Sequence, residues 1–413
     1  MSTSTAQMAW RNLWRNRRRT LVTLSSIAFG TMLAILFTGI GDENWRQMIN
    51  VAARLGGGHV TLQHSEYLEL PTFSRTVQGV SGLRTRALED PQVERAMFRI
   101  TGNIMVASPE QSQGAGFIAF DPATEDVETL SLLDALHEGE MFETADSRGV
   151  VIGVGLAKKL RVGLGRKVVY TLTDRKGEIV QEAARVIGIL KTGAPSVDGG
   201  LCLLPLERVR KLLGYAADES LHVALFLRDQ RSAQDVAERL AALVSPAAAV
   251  PWYQSQPELS GFIAMKVVGA YVMELIIMLL VAAGIFNTLF VSVMERVREF
   301  GIMLAIGFSP GRLFRLVMFE SLWLALIGLV LGALLCAWPY WYMAEVGIDM
   351  STALDVSNLE VAGVAMTSTI QAGIYLNHLV TIVLIALAAT LLSGVYPAWS
   401  AGRIAPVESI RIV

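Results

Sequence analysis

His59 and His64 stand five positions apart in the strand-like run "HVTLQH". A strand alternates its side chains between two faces, so this odd spacing puts the imidazoles on opposite sides and argues against a shared metal. His137, His222 and His378 have no cysteine or carboxylate cluster at ligand spacing. "GVGLAKKL", with Gly153 and Gly155, copies part of a dinucleotide-binding turn but lacks the third glycine, and reads as the entry to a helix. No GxxxxGK[ST] phosphate loop occurs, so the chain does not hold ATP by that route. No Ser-His-Asp arrangement can be argued either. The expectation is a chain with no catalytic residue, no metal ligand and no cofactor of its own.

Two carboxylates remain, and both fall in apolar runs, where an ionisable group is expensive and invites a functional reading. Glu274 lies five residues into its run, within reach of water or lipid headgroups. Glu320 lies deeper, and Arg296, Arg312 and Arg315 are the cations near enough to pair with it. A structural ion pair is expected there rather than a proton relay.

The elements that carry these residues are membrane spans. The chain has 413 residues, 53% of them hydrophobic and only 17% charged, below the soluble norm of about 25% charged. A net charge of −2 excludes nucleic-acid binding by bulk electrostatics. Cys202 and Cys336 fall in segments of different kind and suggest no disulfide. Four runs reach spanning length: 21–41, 269–294, 313–343 and 379–399. The first exceeds the apolar stretch of a signal peptide and no small-x-small cleavage site follows it, so it is read as retained. Residues 1–20 carry five arginines and no acid, and the 295–312 loop carries three. The loop 344–378 has Glu345, Asp349, Asp355 and Glu360 but no Lys or Arg. The positive-inside rule then places both termini, the 295–312 loop and the tail 400–413 in the cytoplasm, and residues 42–268 outside. "MAWRNLWRNRRRTL" sets Trp10, Leu13, Trp14 and Leu21 at helical spacing among arginines, as an amphipathic interfacial helix would.

Residues 42–268 read as an α+β domain on two helical stalks. "DENWRQMINVAARL" continues the first span as helix and breaks at Gly56–Gly58. Strand-like runs follow at "HVTLQH", "AMFRI", "NIMVAS" and "GFIAF". "GVVIGVGLAKKLRVGLGRKVVYTLTD" reads strand, helix, turn, strand, and "RVIGILKTG" and "LHVALFLRD" are further strands. "LERVRKLLG" and "SAQDVAERLAALV" read as amphipathic helices.

Between the second and third spans lies "VMERVREFGIMLAIGFSPGRL" (293–313), a short charged helix closed by a Gly-Phe-Ser-Pro-Gly turn. An ordinary loop would turn with a few polar residues, whereas this one suits docking to an energy-supplying partner. Glu295, Arg296, Arg298 and Glu299 are four charges in five positions and cannot share one helical face. Some must point outward and some back toward Glu320 or the N-terminal arginines. Phe300, Met303 and Leu304 offer apolar contact, and Gly301 and Gly307 allow close approach.

With its ER-x-REFG-x-x-x-AIG core, the stretch 287–335 resembles the FtsX-like permease domain of ABC transporters. So do "SGVYPAWSAGRIAPVESIR" at the end and "AWRNLWRNRRRTLVTLSSIAFG" at the start. "GVVIGVGLAKKLRVGLGRKVVY" and "RVIGILKTGAPSVDGGLCLLPLERVRKLL" are similar to the MacB-like periplasmic core. In architecture the whole resembles the lipoprotein-releasing permeases of LolC/LolE type. The resemblance implies a four-span permease of the bacterial inner membrane, paired with a copy of itself or a sister chain. Two separate ATPase subunits would carry ATP and Mg. It also implies mechanotransmission: ATP moves the coupling helices, and the spans relay that motion to the outer domain.

For lipoprotein release, the resemblance implies an apolar cavity between the first and second spans, here offering Met32, Leu33, Leu36, Phe37, Ile40, Met273, Ile276, Ile277 and Leu280. Membrane lipid and a periplasmic carrier or adaptor are the further partners implied, with a carrier-binding loop expected near 192–200. The alternatives within the family are MacB-like efflux of peptides or antibiotics and FtsX-like regulation of an envelope enzyme.

Overall fold

A computed structural model describes residues 2–350, 360–361, 364–365 and 369–403. Asp355 and the closing Ile410-Arg411 pattern lie outside the described residues. The chain divides into two compact units, one of residues 1–44, 264–349 and 369–413, the other of 45–263 and 350–368.

The first unit is helical, and its four apolar helices are long enough to cross a membrane. Ser2–Leu13 leads through a single 3-10 turn into Arg17–Leu55. Pro257–Glu295, Pro310–Glu345 and Leu376–Gly402 are the other three. Arg17–Leu55 and Pro257–Glu295 each hold 39 residues, about 58 Å at 1.5 Å per residue, against about 30 Å of hydrocarbon. Each therefore continues well past its apolar run, and both bounds pass the division at 44/45 and 263/264.

Three apolar clusters hold this unit together. One joins Leu24 and Ile27 to Ile285, Leu289 and Leu324, a second joins Ile35 to Met278, Cys336 and Ile382, and a third joins Val293 and Phe300 to Leu313, Val317 and Ala398. Between lipid-exposed helices such packing depends on close backbone approach. Gly328 and Gly332, one turn apart on the third span, provide it against the first. A Cβ at Gly328 would stand 2.6 Å from Ile27, and one at Gly332 would stand 2.9 Å from the Ala28 carbonyl.

The second unit is built on a mixed ten-stranded sheet. In spatial order its strands are Ala247–Pro251, Val60–His64, His222–Leu227, Val93–Ala107, Ser112–Phe120, Leu201–Pro205, Gly149–Gly153, Ile179–Leu190 and Leu136–Gly139. Lys167–Thr173 pairs with both Val93–Ala107 and Ile179–Leu190. Two pairings are parallel, Ser112–Phe120 with Leu201–Pro205 and Gly149–Gly153 with Ile179–Leu190.

The sequence suggests separate strands at "AMFRI" and "NIMVAS"; the structure makes them one strand of fifteen residues. Its first half, up to Arg99, pairs with His222–Leu227 and its second half, from Ile100, with Ser112–Phe120, so the strand changes partners between those two residues. Each half has its own core. Val60, Leu62, Val223 and Leu225 pack on Val236 and Leu240, whose spacing marks the buried stripe of helix Ala233–Ala241. Ile100, Ile104 and Phe117 pack with Leu156, Leu160, Val209 and Leu213 from helices Val154–Leu160 and Leu206–Leu213.

Candidate coupling site

The helix quoted from the 293–313 loop is Val297–Ala305. Its ends follow from the sequence around it. Gly307 has φ +99°, a left-handed conformation that glycine adopts without cost and that stops the helix. Ser309 then takes an extended conformation as the next N-cap, and Pro310 occupies the first helical turn, where its missing N–H costs nothing.

Three of the four charges turn back into the chain. Arg296 is buried and donates to both oxygens of Glu320 at 3.0 and 3.2 Å. Asn12 of the N-terminal helix donates to the same carboxylate at 2.9 Å. Of the three arginines weighed as partners for Glu320, the structure selects Arg296; Arg312 and Arg315 form no ion pair with it. Glu299 accepts from Arg296 at 3.1 Å and also from Arg15. Burial opposes the Glu299 charge, but the hydrogen bonds from Arg15 and Arg296 outweigh it and hold the carboxyl below its usual range. Burial likewise opposes the charge on Arg296, which the Glu320 and Glu299 carboxylates restore and raise. Glu295 accepts from Arg19 at 2.6 Å. The guanidinium of Arg296 lies 4.9 Å from the Phe300 ring centre, and Phe300 is fully buried.

What faces outward differs from the sequence expectation. Phe300 and Gly301 are buried, and Met303 and Leu304 pack against the cluster of Val293, Leu313 and Val317. These four residues anchor the helix. The exposed side is Arg298, Ile302 (48% exposed), Ala305 and Ile306 (73%), with Gly307 beyond it. Positions 298, 302, 305 and 306 lie along one helical stripe, so a cation and two large apolar side chains present a common face. The sequence does not mark Ile302 and Ile306, because residue type alone does not distinguish an inward from an outward isoleucine.

The candidate cavity residues divide in a similar way. Phe37, Met273, Ile276 and Leu280 are exposed, Leu33, Ile40 and Ile277 are partly covered, and Met32 and Leu36 pack into the cluster around Ile35 and Met278. Glu274 is partly covered and stands within electrostatic reach of a pair that the sequence does not reveal. That pair is Asp42 and His378, 2.8 Å apart, with the Tyr375 N–H donating to the same carboxylate at 3.1 Å. Their separation of 336 residues left no local signal. The segment 192–200 folds back on its own unit. Asp198 accepts from the N–H groups of Thr192 and Gly193, and Lys159 donates to the Gly199 carbonyl.

Two family models match the chain: the MacB-like periplasmic core domain over residues 20–243, more than half of its length, and the FtsX-like permease C-terminal domain over 271–406. The lipoprotein-releasing system transmembrane protein LolC of Xylella fastidiosa is 26% identical over 68% of this chain and 67% of its own length. An uncharacterized ABC transporter permease of Methanocaldococcus jannaschii, MJ1507, is 22% identical over 98% of this chain and 96% of its own. The pyoverdine export ATP-binding/permease protein PvdT of Pseudomonas putida is 24% identical over 79% of this chain and half of its own. A helix braced by charges between two spans, a mixed-sheet domain between the first and second long helices in sequence, and these matches lead to one conclusion: the chain belongs to the FtsX-like, MacB-like family of ABC transporter permeases.

Proposed function

We propose that this permease works by mechanotransmission, with ATP hydrolysed on separate ATPase subunits that grip the face made by Arg298, Ile302 and Ile306. The observation that carries this reading is the division of charge on Val297–Ala305 and the two residues before it. Glu295, Arg296 and Glu299 are committed to Arg19, Glu320 and Arg15, so the helix is fixed to the first and third spans. A push on its outer face therefore moves those spans rather than bending a loop. Two ATPase subunits would serve a pair of permease chains, identical or sister. The second span supports such pairing, since Tyr271, Val272, Leu275, Leu279 and Leu280 are all exposed apolar or aromatic surface.

The family matches support a placement in the bacterial inner membrane, and loop charge supports an orientation with both termini cytoplasmic and the sheet unit outside. The substrate read most directly from the relatives is a lipoprotein or another lipidated molecule of the outer leaflet, passed to a carrier or adaptor. Phe37, Met273, Ile276 and Leu280 supply exposed apolar surface on the two spans for its acyl chains. Export of a small molecule is the second reading, favoured by the match to PvdT over 79% of this chain. The two separate in proteoliposomes holding the permease, its ATPase and a triacylated lipoprotein. With detergent micelles outside as acceptor for the acyl chains, ATP-dependent release of the lipoprotein is expected, and ATP turnover without release would remove the lipoprotein reading.

A further inference from the structure

The structure sorts the N-terminal arginines into two classes. Arg15 and Arg19 are spent on Glu299 and Glu295 of the coupling loop. Arg11, Arg17 and Arg18 are exposed and, among the described residues, meet no carboxylate. Beside Arg11 opens a cavity of about 640 Å³ lined by Ala6, Gln7, Met8, Trp10, Arg11 and Trp323. Its walls are mostly apolar, and Trp10 and Trp323 meet edge to face with ring centres 5.1 Å apart. The indole Nε1 of Trp323 is buried without a partner, one of few such donors among the described residues.

We propose that this cavity is a binding site for an anionic phospholipid of the leaflet that holds the N-terminal helix. Arg11 at the cavity takes the headgroup phosphate, Arg17 and Arg18 add attraction at the surface, and an acyl chain lies along the apolar wall that Met8, Trp10 and Trp323 form together. The occupant follows from charge and shape together. Three cations that meet no carboxylate among the described residues call for a net negative headgroup, which a zwitterionic lipid lacks. Walls of tryptophan and methionine call for a hydrocarbon chain, which inorganic phosphate lacks. The same N-terminal segment holds Glu320 through Asn12, Glu299 through Arg15 and Glu295 through Arg19. A lipid that fixes this segment therefore also stiffens Val297–Ala305, and this regulatory consequence rests on the coupling role proposed above.

The test uses the full-length chain in uncharged detergent, without an ATPase. Phosphatidylglycerol carrying brominated acyl chains is titrated while tryptophan fluorescence is followed, because bromine quenches nearby indoles. Saturable quenching is expected, and substituting Arg11→Gln, Arg17→Gln and Arg18→Gln should weaken it by about fivefold per arginine removed. An Arg11→Lys variant that keeps the charge should retain most of the affinity. Brominated phosphatidylcholine should quench only weakly, and inorganic phosphate should not compete. Equal quenching by the two lipids, unchanged affinity in the triple variant, or competition by phosphate alone would each overturn the site. Hydrogen exchange of 297–305 reads the second half of the proposal. Exchange should slow when phosphatidylglycerol binds, and binding with unchanged exchange would refute the link to the coupling helix while leaving the ATPase-docking reading untouched.

Discussion

A side chain's surroundings decide which of its ordinary properties survive folding, and His59 illustrates this. Its Nδ1 accepts from the Leu227 N–H at 3.0 Å, so the ring proton sits on Nε2 and donates to the Asn50 side chain at 2.9 Å. Burial, with Arg54 nearby, lowers its pKa to about 4, and burial lowers that of His222 to about 3. The unfolded chain binds these protons from about pH 6.5 downward, while the folded chain refuses them until about pH 4. Stability is therefore full above pH 6.5 and is lost as pH falls toward 4. His59 alone should account for about 2 kcal/mol between pH 7 and pH 5. Protection factors of strands Val60–His64 and His222–Leu227 in the intact protein, with the intrinsic pH dependence of amide exchange divided out, should fall over that interval. The fall should be smaller in His59→Gln, and equal pH dependence of protection in the two proteins would contradict the assignment. Glu320 makes a different demand, because removing Arg296 alone strands a buried carboxylate, whereas removing both partners does not. Arg296→Met should lower the midpoint of thermal unfolding more than Arg296→Met combined with Glu320→Leu. The reverse order would show that the pair is not coupled.

At the level of elements, the last carbonyls of Arg17–Leu55 are held by a side chain of the sheet. Arg99 has no exposed surface, and all five of its N–H groups are used. Nε and Nη2 meet the two Glu125 oxygens at 2.7 and 2.9 Å, Nη2 also reaches the Thr129 carbonyl at 2.6 Å, and Nη1 donates to the carbonyls of Arg54 and Gly56. Those last two carbonyls lie at the helix terminus, where the helix itself offers no donors. Gln256 adds a bond to the Ala52 carbonyl at 3.2 Å. Arg99→Met alone leaves Glu125 buried and unpaired and should cost about 3 to 5 kcal/mol. Arg99→Met with Glu125→Leu should fold with far less loss, yet lack the tie to the helix end. In an assembled transporter this double variant should hydrolyse ATP at the normal rate but release less substrate per ATP. Unchanged release per ATP would mean that the joint carries no force. At the helix crossing, Gly328→Leu should block the approach to Ile27 and lower thermal stability, while the same change at Gly284, which has nothing within 4 Å, should do little. The helices and turns around these joints were legible because period, glycine and proline write them locally: the break after Leu55, the helix 206–213 ending at Gly214, and the Gly307-Ser309-Pro310 turn. Arg99 with Glu125, Asp42 with His378, and Asn12 with Glu320 were not, since each pair is assembled by tertiary packing across 26, 336 and 308 positions. The single strand Val93–Ala107 reads as two in the sequence because Thr101-Gly102-Asn103 has turn-like composition, while the pairing that carries the strand through it is set by distant partners.

For the whole molecule, motion made by an ATPase must enter through a surface that the chain leaves free, and the charge pairing on Val297–Ala305 narrows that surface. Reversing Arg298 together with Glu299 would be an ambiguous experiment, since Glu299 already binds Arg15 and Arg296 and its reversal would loosen the brace itself. Arg298, Ile302 and Ile306 offer a cleaner one, because all three are exposed and Arg298 makes no ion pair among the described residues. Arg298→Glu combined with Ile302→Ser and Ile306→Ser should leave membrane insertion and thermal stability near those of the parent. Loss of one desolvated interfacial charge contact typically costs about 2 to 5 kcal/mol, so ATPase capture should fall roughly thirtyfold or more. A second variant, Glu299→Gln, tests the brace instead and should lower stability while weakening capture less. Capture is read by pull-down of the ATPase in matched detergent, and stability by unfolding of the same preparations. If the outward triple variant captures the ATPase as well as the parent does, this helix is a solvated loop and the motion enters elsewhere. If Glu299→Gln weakens capture more than the triple variant does, the docking face is the charged side of the helix rather than the isoleucine side. With the expected order, outward residues govern association and inward residues govern rigidity, which is the division of labour a lever between ATPase and membrane requires.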